Sequence, residues 1–177
     1  VHTVHPGLAG ILDYAAYRIE LAPFSSAQIS PLKPAASAEG RAVEQVRTGA
    51  NAYYLHIFPN LMLNVYQGYM DSNLVLPLGP DRCRVVFDFF FEKTDDPAQQ
   101  KKIEESIAVS HQIQLEDVGI CEEVQRGLGS RTFGTGRYSG GREAAGQAFH
   151  VLLGRALQSG VRGQGQRTEK HMEAKNE

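Results

Sequence analysis

The sequence predicts an α+β domain in which helices lie across an antiparallel sheet. Three features carry that expectation. Between residues 51 and 91, short runs of β-branched and aromatic residues follow one another, separated by turn residues. From Thr94 the pattern changes to a helical one that persists to Leu128, and a second amphipathic segment spans Arg142 to Leu157. Length and composition agree, since 177 residues with 42% hydrophobic and 21% charged content suit one well-buried soluble domain rather than two.

Taken in order, Val1 to Pro6 holds His2 and His5 ahead of a Pro-Gly turn signal, and two histidines three apart read either as a metal pair or as solvated terminal residues. Tyr14 to Leu21 and Phe24 to Leu32 are short strands broken by Pro23 and Pro31. Lys33 to Gly49, rich in Ala, Ser and Gly, reads as a loop. Ala52 to Phe58, Leu61 to Tyr69 and Asn73 to Leu78 are strands punctuated by Pro59-Asn60 and by Met70-Asp71-Ser72. Leu78 to Arg82 is a tight-turn signature, so the following run returns antiparallel. That run alternates, with Cys83, Val85, Phe87, Phe89 and Phe91 on one face, and a mixed set including Arg84, Asp88 and Phe90 on the other.

Asp96 and Pro97 form a helix start, an N-cap followed by proline at the first helical position. The helix runs to about Leu128 with an interruption or bend near Gly119, and a glycine-crowded loop precedes the second helix. Beyond Ser159 Gly, Gln and charge dominate, so the domain is expected to span 1–159 and a disordered polar tail 160–177.

Within the long helix, Ile113, Ile120, Val124 and Leu128 form an apolar stripe, and Asp117 lies in the middle of it. A carboxylate on a core-facing stripe loses water and needs a cation or several donors in compensation. Two readings stay open from the residues: a buried structural Asp bonded to an Arg or to backbone amides, or a metal ligand. A sheet wrapping a long helix leaves a cavity between them, and Asp117 looks into it.

Several classes are excluded or disfavoured. A net charge of −2 with no basic run argues against nucleic acid and anionic membrane surfaces. No apolar run is long enough to span a bilayer. Cys83 and Cys121 make no disulfide framework and no leader pattern is present, so a cytoplasmic location is expected. His56, His111 and His150 lack a Ser or Cys partner at recognisable spacing, and no phosphate-binding glycine motif occurs.

Three blocks, Phe58 to Asn64, Met70 to Pro80 with Val85 to Asp88, and Gln114 to Leu128, resemble the C-terminal catalytic domain of Rieske non-haem iron oxygenase (ring-hydroxylating dioxygenase) alpha subunits, and within them the choline monooxygenase-like members. Gly136 to Tyr138 and Phe149-His150 fit as well. The resemblance implies a helix-grip fold, with the sheet wrapped around a long C-terminal helix and one Fe(II) held by two histidines and a carboxylate. Asp117 matches the carboxylate ligand and His5 the second histidine of a His-x4-His motif, whose first member falls one position before Val1. His2 stands at the wrong spacing. A 2Fe-2S cluster is expected only in an N-terminal Rieske domain that this chain lacks, so the chain reads as a truncated piece, inactive by itself.

The implied chemistry is hydroxylation of a small molecule by O2 with electrons from a reductase or ferredoxin, in a homotrimer. A quaternary or methylated amine is the expected substrate, held by aromatic faces such as Tyr53, Tyr54, Tyr66, Tyr69 and Phe87. Ile113, Gln114, Tyr66 and Phe87 are the candidate pocket residues. Alternatives are an aromatic-ring dioxygenase and a non-catalytic helix-grip domain that binds a small ligand.

Overall fold

The protein, seen here as a computed structural model, is described with side chains for residues 12–13, 15–33 and 49–160, and as backbone for 161–173. Six strands form one sheet in sequence order: β1 (Arg18–Ala22), β2 (Ser25–Pro31), β3 (Asn51–Ile57), β4 (Leu61–Tyr66), β5 (Tyr69–Gly79) and β6 (Arg82–Phe91). Every neighbouring pair is antiparallel. Two helices follow, α1 (Pro97–Leu128) and α2 (Ala144–Glu173). The expected α+β architecture with an antiparallel sheet is therefore what the chain adopts.

Local chemistry accounts for the connections. Gly79 pairs with Arg82 across the Pro80-Asp81 turn, as the sequence predicts, and β6 returns along β5. Asn60 closes the β3–β4 connection by donating Nδ2 to the Val75 carbonyl at 2.8 Å, while Val75 donates its own N–H back to Asn60.

The β4–β5 turn is a departure. It falls at Gln67-Gly68, where Gly68 has φ +85°, a left-handed value that favours glycine. Met70-Asp71-Ser72, read from sequence as a break, instead lies inside β5. Its polar residues are accommodated because Asp71 is buried among strand neighbours that hydrogen-bond to it.

Register then decides the faces. Tyr66 pairs with Tyr69 and Tyr69 with Phe91, so their side chains share one face. By alternation that face also carries Asn64, Asp71, Asn73, Phe87 and Phe89, and across β3 and β2 it carries Tyr54, His56, Gln28 and Ser26. Both helices lie on this inner face, since Ser106 of α1 shares a cavity with Tyr69 and Phe91, and Phe149 of α2 meets His56 edge-on at 5.2 Å. The core is compact: Leu12, Ala52, Tyr66 and Tyr69 are buried, with Leu32, Tyr54 and Phe91 packed against them.

The Asp96 cap forms as expected, its carboxylate accepting from the Ala98 N–H at 3.0 Å with Pro97 at the first position. Beyond that, α1 departs from the sequence reading in two ways. It is uninterrupted through Gly119, where an interruption or bend is expected, because that glycine stands in open space with nothing near to force a break. The stripe residues Ile120, Val124 and Leu128 are exposed rather than core-facing. A helix of 32 residues is about 48 Å long, whereas the 11-residue β5 spans about 36 Å, so α1 outruns the sheet.

Helix α2 also continues to Glu173, past residue 159 where the sequence reading starts a disordered tail. Its added residues include Gln, Arg, Glu and Lys, straight-chain types that lose little freedom in a helix. No described helix is long and apolar enough to cross a membrane.

Replacing Asp96 with Ala removes the side chain that accepts from the Ala98 N–H at the start of α1. Urea denaturation is expected to show a loss of about 1 kcal/mol with the slope unchanged.

Candidate functional site

The inner edge of α1 is drawn by its covered residues. Ile103, Ser106, Ser110, Ile113, Gln114 and Asp117 recur at spacings of three and four and are buried or half-buried. From Val118 to Leu128 every residue is exposed. Asp117 is thus the last covered residue of the inner edge, placed where the helix leaves the sheet. Its side chain is half-buried and engaged rather than free, as is that of its neighbour Glu116, for which the sequence places the side chain toward water.

The other expected site residues are distributed unevenly. Ile113 and Gln114 are half-buried on the same helix edge, one turn before Asp117. Phe87 is half-buried on the inner sheet face opposite Asn73. Tyr66 is only 6% exposed, and its ring is occupied by core neighbours, stacked on Tyr69 at 4.8 Å and meeting Tyr54 edge-on at 6.1 Å. Tyr53 points to the outer face, by its register with Val65. His5 lies outside the described residues, as does His2. His111 is exposed. Among the described residues no three His, Cys, Asp or Glu side chains converge as a metal cluster.

Beside this edge, two features escape sequence reasoning. The first is a buried polar group on the inner sheet face. Asp71, 5% exposed, accepts from Asn64 Nδ2 at 2.8 Å and from Asn73 Nδ2 at 3.2 Å. A carboxylate so far from water is retained because charged hydrogen bonds replace its hydration. The second is an apolar cavity of about 550 Å³ between strands β2 to β5 and the start of α2, walled by His56, Met62, Pro77, Phe149 and Leu153. Its volume lies in the range of small-molecule pockets. The wall residues His56 and Phe149 are far apart in the chain, and only the alternation of each element hinted at their facing sides. Outside it, Tyr138 Oη and His150 Nδ1 are 2.5 Å apart, tying the glycine-rich loop to α2.

Chemically, the arrangement offers one oxygen donor at the helix edge and, on the same side of the sheet, a cavity with apolar and aromatic walls. Such a cavity suits a substrate without hydrogen-bond donors. The carboxylate suits a hard or borderline divalent cation.

Comparison with known proteins places these observations. Residues 5–159 match the catalytic domain of the ring hydroxylating alpha subunit family. A choline monooxygenase of Arabidopsis thaliana is 46% identical over 109 residues, covering 60% of this chain and 25% of that protein. One from Amaranthus tricolor is 32% identical over 156 residues, covering 86% of this chain and 33% of that protein. The chain therefore spans about a quarter to a third of the curated relatives it matches. Among solved structures, a quaternary ammonium Rieske monooxygenase described for carnitine oxidation and inter-subunit electron transfer superposes with a TM-score of 0.67 at 22% identity, over 86% of this chain and 42% of that one. CntA in complex with L-carnitine gives 0.64 at 22% identity, over 87% and 41%. These structures share the fold.

Substituting Asn64 with Ala removes the Nδ2 donor that reaches the Asp71 carboxylate at 2.8 Å. The expected loss is about 2 kcal/mol in a urea titration, the range for a hydrogen bond to a charged group.

Proposed function

The chain belongs to the ring hydroxylating alpha subunit family, in its catalytic domain, and from that premise we propose that it is the metal-bearing part of a Rieske-type oxygenase that hydroxylates a quaternary or methylated amine of the choline or betaine kind. The observation that carries the reading is the position of Asp117, the last covered residue on the inner edge of α1. That half-buried, engaged carboxylate fits one ligand of a mononuclear Fe(II). His5 is the imidazole that the resemblance assigns beside it. Bound there, the iron supplies activation of dioxygen with electrons from a 2Fe-2S cluster, which belongs to the rest of such a protein, and from a reductase or ferredoxin beyond it.

The chain's own residues do the remaining work. Asp117 anchors the cation on a rigid helix rather than a loop, which fixes the reacting centre. Ile113 and Gln114, one turn earlier, border the space a substrate enters, and Ile113 keeps it apolar. A quaternary nitrogen has no N–H to donate, so its recognition rests on apolar surface and ring faces. The cavity walled by His56, Met62 and Phe149 offers such a surface, and Phe87 adds a half-buried ring on the same sheet face. A homotrimer, which the family resemblance implies, is the assembly we assign to the whole protein, and the inter-subunit electron transfer described for the carnitine-oxidising structure supports an assembly of more than one subunit.

Anaerobic titration with ferrous iron of the chain carrying a histidine placed before Val1, where the His-x4-His motif assigns one, tests this. That chain is expected to bind one iron, and its Asp117→Ala variant to bind it at least about tenfold more weakly while its circular dichroism is unchanged. Equal affinities, or no uptake by either, would make Asp117 a structural carboxylate and this chain a non-catalytic small-ligand domain.

A further inference from the structure

A second cavity, of about 420 Å³, lies at the opposite end of the inner edge of α1, between the β4–β5 turn, the segment after β6 and the first turns of the helix. Ser106, which lines it, is eleven residues before Asp117 on one continuous helix, or about 16 Å along the axis. The two places are therefore separate.

Three observations describe its chemistry. Lys93 and Lys102 line it against a single acidic side chain, Glu92, and among the described residues neither lysine has an ion-pair partner. Ser106 is 3% exposed, and its hydroxyl meets no hydrogen-bond partner. A buried hydroxyl left in that state is unfavourable, and an acceptor at the cavity wall would relieve it. The remaining surface is divided between the amides of Gln67 and Gln99 and an apolar floor of Tyr69, Phe91 and Ile103.

The geometry points to a binding site for a small organic anion, a carboxylate on an apolar body. The two lysines attract the charged end, Ser106 and the glutamine amides donate to it, and the floor covers the body. The volume lies within the span of small-ligand pockets. This site is independent of the amine oxidation proposed for the Asp117 end, and a cationic amine is the wrong charge for it.

The test uses benzoate and inorganic phosphate as probes, titrated into the 15N-labelled full chain by heteronuclear NMR. Benzoate is expected to shift the Gly68 and Ser106 amides saturably, and phosphate to do so more weakly because it lacks the apolar body. The double variant Lys93→Glu/Lys102→Glu, altered at exposed positions, is expected to weaken benzoate by about tenfold or more. Ser106→Ala should weaken benzoate several-fold without lowering the urea midpoint of the free chain, since the hydroxyl it removes has no partner to lose. Unsaturable shifts, equal response to both probes, or unchanged benzoate affinity in the double variant would overturn the assignment. So would a Ser106→Ala chain that loses stability and keeps its affinity, because that result makes Ser106 structural.

Discussion

The stacked rings of Tyr66, Tyr69 and Phe91 are the constraint on which the rest of the arrangement depends. They come from three consecutive strands, with centroids 4.8 and 5.3 Å apart and ring planes within 21° and 19°. Pairing Tyr66 with Tyr69 across a two-residue turn, and Tyr69 with Phe91, fixes the register of β4, β5 and β6 at once. Because side chains alternate with a period of two, a slip of one residue would send every one of them to the other face. The same register sends Asp71, Asn73, Phe87 and Phe89 inward. The turn that allows it needs Gly68 at φ +85°, and Gly49 beside it is equally constrained, since a Cβ there would come within 2.8 Å of the Gln67 Cβ.

Against that face, α1 presents a narrow edge with small residues where it is most covered. Ser106 and Ser110 are buried, and Ile103, Ile113 and Gln114 are partly so. The helix is longer than the strands, and the mismatch has two consequences. Its first two thirds carry the covered edge, ending at Asp117, whereas its last third carries Ile120, Val124 and Leu128 into the open. A carboxylate at that boundary is held by a packed element yet remains reachable, a combination that a metal ligand with open coordination positions requires. The two cavities on the inner face differ in character along the same logic. The one near α2 is walled by aromatic and aliphatic side chains, and the one at the start of α1 by lysines and amides.

Much of this was legible from residues alone where the signal is local. The alternation of Cys83 to Phe91, the turn before Arg82 and the Asp96-Pro97 start each depend on neighbours a few positions apart, and each formed as expected. Asp117 does lie on the covered edge, but of the stripe that placed it there only Ile113 is covered with it. What escaped was set by pairs distant in the chain or by the relative lengths of elements. Asp71 reads locally as a break because its partner Asn64 lies on the neighbouring strand. The exposure of Ile120 and Val124 depends on where the sheet ends, which no helical window contains. His56 and Phe149 meet only because α2 folds back over β3. Tyr66, an attractive cage residue by type, is occupied by the stack instead. Asp117 was open to a structural reading from the residues, and the iron-ligand reading we propose for it rests on membership of the family.

The central claim is that iron sits at the Asp117 end of the covered edge, and paramagnetic broadening by bound Fe(II) in an NMR spectrum of the full chain tests it most directly. The account predicts that amides from Ile113 to Ile120 broaden first, while Gly79 and Gly68 stay sharp. Broadening centred instead on the exposed Glu122 and Glu123, or spread evenly over the chain, would contradict it.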